Sequence, residues 1–337
     1  MESNKVGKHS FRLPNMPVIA AWASIAGKKE GNGPLKAYFD VVNQDSYFGQ
    51  KSWEQAEKRL QQLALETLCQ KAGIELTDLP LVFSGDLLNQ CIGSSFPLRN
   101  KDIAHVGLYG ACSTMAESLM MASMAIGGGF TDSAAAMTSS HFASSERQYR
   151  FPLGYGGQRT PTAQWTVTGS GAVLLKQNGK GPKVECCTIG CVTDLGIKDA
   201  SDMGAAMAPA ALNTIKSHFN DFGLDAKDYD LIVTGDLGRH GKEALLSLAR
   251  LDGISLGGKL VDCGCMIFDA EKQDVHAGGS GCGCSAIVLC SELLNKLSSG
   301  KLNKILFCGT GALLSPTSTQ QGLPIPGICH AISIIGG

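Results

Sequence analysis

At 337 residues the chain is long enough for a large buried core and for two domains or two fused halves, and too long for a single small module. Hydrophobic residues make up 44% of it against 18% charged, with 42 glycines, which excludes a disordered chain and suits buried strands and close-packed helices. A formal net charge of -1 excludes a global attraction to nucleic acid or anionic lipid, so a charged ligand would have to be held locally.

The segment Met1 to Phe11 is polar, without the apolar stretch of a signal peptide, and no run of about 18 apolar residues follows. The expectation is a protein made and kept in the cytosol. The 13 cysteines are odd in number and lack an export signal, which argues for buried, reduced thiols rather than a disulfide framework. Cys186-Cys187 with Cys191, and the pairs Cys263/Cys265 and Cys282/Cys284, raise the question of zinc. A Cys-x-Cys spacing pinches the usual ligand geometry, and no metal site or cofactor is expected.

In chain order, Ala64 to Leu87 reads as a helix, a Gly-containing turn and a short β-rich run, Leu81 to Phe83. Ala211 to Leu237 repeats that order, with its run at Leu231 to Thr234, and both units end in Gly-Asp-Leu. A second pairing follows each unit. Gly110 to Met124 and Gly281 to Leu294 begin with small residues and Cys and continue as helices, leading to strands at Ser133 to Thr138 and Lys304 to Cys308. Duplication is the simplest account, and strand–helix–strand order in both halves implies mixed sheets with helices around and between them. The turn-rich stretch Gln177 to Pro182 marks the boundary between an N-terminal half, 1–178, and a C-terminal half, 179–337. Ser139 to Thr168, rich in Gly, Ser, Arg and aromatics, reads as a long functional loop.

His105 to Ser118 reads as a strand that turns sharply through Gly110 into a helix whose first turn carries Cys112. Helix-start amides favour a thiolate or a bound anion, which would lower the thiol's pKa if the site opens to a ligand. The same cysteine would also serve as a small residue for close strand-to-helix packing.

Strand, Gly-Ala-Cys-Ser-Thr and helix resemble the nucleophile turn of thiolases and ketoacyl synthases. Further motifs narrow the likeness: Tyr109 to Ser118, Thr138 to His141, Glu146 to Pro152, Thr166 to Val173, Asp202 to Ala211, His276 to Ala286 and Thr310 to Ser318. Together they resemble the stage V sporulation protein AD family along nearly the whole chain. The resemblance implies an α/β, thiolase-like fold, a duplicated five-layer αβαβα arrangement with two mixed sheets. It also implies a homodimer, with the cysteine between the halves. For function it implies binding of dipicolinic acid (pyridine-2,6-dicarboxylate), or its calcium chelate, during uptake into the developing spore. Membrane proteins of the same operon would be partners, and the protein, cytoplasmic as made, would lie peripherally on the spore inner membrane.

Condensing enzymes of this fold need His or Asn donors from the second half to steady a developing enolate. Where related synthases carry a His, this chain has Gly235-Asp236, and the second donor position reads Gly278-Gly279-Ser280-Gly281. His240 and His276 lie near enough in sequence to swing in, but each is more simply a loop or packing histidine. The expectation is therefore a binding protein rather than an enzyme, with thiolase or ketoacyl synthase-type acyl transfer through Cys112 as the alternative and a docking scaffold as a third reading.

A flat aromatic dicarboxylate needs an apolar slot with donors at both ends. Backbone amides at Cys112, Ser113 and Thr114 would take one carboxylate; Arg147, Arg150 or Arg159 would take the other, with His141 lining the cavity. Asp86, Asn89 and Asp236, which follow strands of the repeated units, would supply oxygens to calcium.

Overall fold

The structure is a computed structural model that describes residues 4–149 and 157–337. In the first half five strands form one mixed sheet: β1 (Val18–Ala26), β2 (Leu81–Gly85), β3 (Ala104–Leu108), β4 (Ser133–Ser140) and β5 (Gly169–Lys176). In the second half they are β6 (Lys183–Thr188), β7 (Leu231–Thr234), β8 (Leu260–Asp262), β9 (Lys304–Ala312) and β10 (Gly327–Ile335). The spatial orders are β3-β2-β4-β5-β1 and β8-β7-β9-β10-β6, the same permutation twice. Pairing repeats as well: the first three strands of each order are parallel and the last two join antiparallel. The two sheets touch edge to edge at a single residue pair, Val18 with Lys183.

The duplication extends to the turns. Helix α1 (Trp53–Ala72) stops at Gly73, φ 64°, and continues through a 3-10 turn whose Glu75 and Asp78 cap each other. In the second half the same exit is made by a helix over Met203–Phe222, then Gly223, φ 66°, then a turn capped by Asp225 and Asp228. Both exits place glycine in the left-handed region, where a side chain would be strained.

Helix α2 (Thr114–Gly127) follows the cysteine corner, α3 (Phe142–Tyr149) follows β4, α4 (Met203–Phe222) is the repeat of α1, and α5 (Gly238–Leu251) follows β7. Helix α6 (Cys282–Val288) runs on through a π turn, Leu289–Leu293, into Leu294–Ser298. Helices α2 and α6 form the central layer. Their residues Met115, Leu119, Ala286 and Ile287 share one core with Val173 and Leu175 of the first sheet and Phe307 and Ile332 of the second. α1 covers the outer face of the first sheet, α4 and α5 that of the second, which completes five layers. Gly171 on β5 lets α6 approach closely, since a Cβ there would stand 2.5 Å from the Ala286 carbonyl oxygen.

The stretch from Ser139 to Thr168 is not one long loop. β4 extends through Ser140, Phe142–Tyr149 is helical, and Trp165–Thr166 pairs in parallel with Gly279–Ser280. The helix is held by buried polar contacts rather than by an apolar stripe, with the Ser144 hydroxyl donating to Glu57 at 2.7 Å. That contact links residues far apart in sequence, which periodicity does not register.

Candidate functional site

The cysteine corner turns through Ala111, not Gly110. Gly110 has φ −96°, whereas Ala111 has φ +52°, a left-handed conformation that costs a residue with a Cβ some strain. A 3-10 turn over Ala111–Ser113 then leads into α2. In that turn the Ser113 amide donates to the Gly110 carbonyl at 3.2 Å and the Thr114 amide to the Ala111 carbonyl. Two of the three amides expected to hold a carboxylate are therefore already engaged.

Cys112 is buried, and the carboxyl group of Asp236 faces its thiol across the interface between the halves. Burial, then the negative charge of Asp236, push the thiol well above its ordinary range. The expectation of a lowered pKa is overturned, because the nearest charge to the sulfur is an anion. Asp236 is itself buried; Ser280 Oγ donates to it at 3.1 Å, the Gly281 amide at 2.9 Å and Thr310 Oγ1 at 2.9 Å. Burial raises its pKa in spite of these donors. Gly281, at φ +98°, is the residue that allows the amide to point there.

A cavity of about 250 Å³ opens in front of Cys112. Leu87, Met203, Leu313 and Leu314 give it apolar walls, and Tyr109 and Tyr149 close one side with their hydroxyls bonded to each other and to the Leu87 carbonyl. Its polar groups are the Cys112 thiol and the Ser145, Thr166 and Ser280 hydroxyls; Ser145 Oγ is buried and has no hydrogen-bond partner. Among the described residues no Lys, Arg or His lines it.

The sequence-predicted residues divide accordingly. Cys112 lines the cavity and Asp236 stands behind it, but Ser113 turns its hydroxyl back to the Gly110 carbonyl at 2.6 Å. His141 is fully buried, its Nε2 at 2.9 Å from the Ser46 carbonyl and its Nδ1 accepting the Ala143 amide, and burial pulls its pKa down to about 4. It packs against Trp53 and Phe142 and does not reach the cavity. Arg147 pairs with Glu54 on α1, and Arg159 pairs with Asp274 at 2.7 Å, so neither guanidinium faces Cys112. Arg150 lies outside the described residues.

Asp86 is buried with Leu88 N, Ser94 N and Ser94 Oγ donating to it at 2.8, 2.8 and 2.6 Å, and Asn89 is an exposed residue whose amide meets Gln148. Asp86, Asn89 and Asp236 do not converge on a calcium site, since both carboxylates are saturated by the protein's own donors. Among the described residues no cluster of three or more His, Cys, Asp or Glu is arranged to hold a metal. His240 pairs with Asp202 at 2.9 Å and His276 with Asp274 at 3.1 Å, and neither lines the cavity.

Glu30, Glu57 and Asp262 are buried acids that escaped the sequence reading. Glu57 on α1 is fully buried, accepting from Ser139 Oγ at 3.0 Å and Ser144 Oγ at 2.7 Å. Burial, then the neighbouring Asp86, push its pKa up. Glu57 and Gln61, four apart, fall on the buried stripe with Leu60, Ala64 and Leu68, and that spacing was the available signal. Asp262, at the end of β8, accepts from Thr234 Oγ1 at 2.8 Å and from the Leu237 and Gly238 amides at 2.8 and 2.9 Å, bracing the corner that carries Asp236.

The family profile of stage V sporulation protein AD matches residues 7–335. The chain belongs to that family. Stage V sporulation protein AD of Bacillus subtilis (strain 168) is 44% identical over 326 residues, 97% of this chain and 96% of that protein. Among solved structures, a histidine-to-asparagine variant of OleA from Xanthomonas campestris superposes with a TM-score of 0.61 at 15% identity, covering 96% of this chain and 99% of that one. The 3-oxoacyl-[acyl-carrier-protein] synthase III of Aquifex aeolicus VF5 does so at 0.58 and 12% identity, covering 95% and 99%. At such identities these likenesses show the thiolase-like fold alone. Sporulation is thus the family's setting. No helix among the described residues is long and apolar enough to cross a membrane.

Proposed function

We propose that the cavity before Cys112 binds dipicolinic acid as its calcium chelate and leaves it chemically unchanged, in the service of uptake into the developing spore. The observation that carries the reading is the Cys112–Asp236 pair. A nucleophilic thiol needs a neighbouring base or positive charge, and this one faces an acid in a buried corner. No imidazole among the described residues is available to polarise a thioester carbonyl.

Size and charge support the ligand class. A dry cavity of roughly 150 Å³ takes a benzene ring, so about 250 Å³ suits one aromatic ring with two substituents. A free dianion would enter a mostly apolar site with no facing cation among the described residues and Asp236 behind it, at a large desolvation cost. The calcium chelate carries no net charge and avoids that cost, while Ser145 Oγ, buried without a partner, offers a hydrogen bond to one of its carboxylates.

The protein acts as a homodimer lying peripherally on the membrane beside the membrane proteins of the same operon. Among the described residues β3 is an unpaired sheet edge, with Val106, Tyr109 and Phe96 exposed beside it, which suits strand-to-strand pairing with a second copy. A solution mass near 35.3 kDa would contradict the dimer. For the ligand, calorimetric titration with dipicolinate at fixed pH should give saturable heat that strengthens when calcium is present. Absence of heat in both arms, or acylation of Cys112 found by intact mass after incubation with acyl-CoA, would overturn the reading.

A further inference from the structure

The most exposed large hydrophobic side chain among the described residues is Phe130, at 86%. It is not a loose loop residue. The turn after α2 is tied down by Gly128 N to Met124 O at 2.8 Å, Gly129 N to Ile126 O at 3.0 Å and Phe130 N to Ala125 O at 2.9 Å. The ring leans over Gly128, where a Cβ would come within 2.8 Å of it. The fold therefore holds an aromatic ring outward at a fixed point, with Met124 and Met16 exposed as well. A buried aromatic would stabilise a monomer; an outward ring on a rigid turn wants an apolar phase outside the protein.

The charges beside it have one sign in excess. The Gln177 amide bonds the Asp132 carbonyl at 2.9 Å, which joins the Phe130 turn to the turn between β5 and β6. That second turn carries Lys176, Lys180 and Lys183, with Lys176 and Lys183 both in register with Val18. None of the three makes a salt bridge among the described residues, and Asp132 is the one exposed acid in the connection. The tip precedes β4, while Cys112 follows the carboxyl end of β3, which runs in the same direction two strands away. The eight residues of β4 thus separate tip from cavity by roughly 25 Å.

We propose that this tip is the surface by which the protein rests on an anionic lipid bilayer, with Phe130 in the headgroup–acyl boundary and the three lysines against lipid phosphates. It rests on the peripheral membrane location given above and names the face that achieves it; it is independent of what the cavity binds. An aromatic anchor with a small basic cluster gives reversible, salt-sensitive attachment. The cavity then lies on the far side of the molecule from the lipid.

The test is flotation of the full chain with protein-free vesicles of phosphatidylcholine with and without phosphatidylglycerol, at low and high salt. Binding is expected only with phosphatidylglycerol, falling about tenfold in Phe130→Ser and in the triple variant Lys176→Glu, Lys180→Glu, Lys183→Glu. Both variants should keep the wild-type urea unfolding midpoint, which shows that they are folded whatever the cavity binds. Wild-type protein that ignores anionic vesicles, or floats equally well when Phe130 is replaced, overturns the proposal. A parallel arm with native membranes separates the failures. Retention there without vesicle binding assigns attachment to a membrane protein, and retention in neither arm removes the peripheral location as well.

Discussion

Asp86 and Asp236 follow equivalent strands of the two halves, in the same Gly-Asp-Leu corner, both fully buried and both receiving three hydrogen bonds from the chain. What faces them differs. Asp86 accepts only from its own half and neighbours a second acid, Glu57, whose ionisation it opposes. Asp236 faces the Cys112 thiol from the other half, and its charge, after burial, raises that thiol's pKa. A duplicated backbone corner thus sets where a carboxylate lies, and the residue opposite decides whether the corner braces one half or defines the floor of a cavity between halves.

The largest effect that would break this comparison comes from Asp236→Ala. Removing it leaves Ser280, Gly281 and Thr310 with buried donors unpaired, and a loss of about 3 kcal/mol or more in urea unfolding is expected. Asp86→Ala also orphans its donors but relieves Glu57 of a neighbouring negative charge, so a smaller loss of roughly 1 to 2 kcal/mol is expected. Equal losses would mean that the like-charge contact in the first half counts for nothing.

The next effect is a pH slope. Because burial and Asp86 raise the folded pKa of Glu57, the folded state holds a proton that the unfolded state gives up above about pH 4.3. Its contribution is fully present below that value and is lost as pH rises through the folded pKa, at up to about 1.4 kcal/mol per pH unit. Glu57→Gln should flatten that decline in melts taken across the series, and an unchanged slope would place the titration elsewhere.

The smallest effects sharpen the account of the cavity. Arg147→Ala and Arg159→Ala remove exposed or half-exposed ion pairs with Glu54 and Asp274, and ligand heats should stay within about 0.5 kcal/mol of wild type. A large loss in either would bring a cation back to the ligand.

Much of this was legible in the sequence because the repeat is written in local patterns. Helix, Gly turn and short β run recur at Ala64 to Leu87 and Ala211 to Leu237, and the structure repeats them as helix, left-handed glycine, capped 3-10 turn and strand. The replacement of a synthase His by Gly235-Asp236 was equally plain. The reach of side chains was not. Arg147 looked like a ligand clamp until Glu54, from another helix, took it, and His141 looked like a lining residue until Ser46 and Ala143 accounted for both ring nitrogens. Left-handed Ala111 gave no signal, because the sequence offers Gly110 beside it as the obvious turn residue. The thiol was misread for a related reason. Helix position is local and favours ionisation, whereas burial and Asp236 are tertiary and oppose it more strongly.

The most direct measurement is the pH profile of Cys112 alkylation, followed peptide by peptide by mass spectrometry in wild type and in Asp236→Asn. The expected result is a wild-type rate still rising at the alkaline end of the stable range, with a profile moved to lower pH once the neighbouring charge is removed. A wild-type thiol already ionised at neutral pH, with no response to Asp236→Asn, would contradict the claim that this corner holds a ligand instead of attacking one.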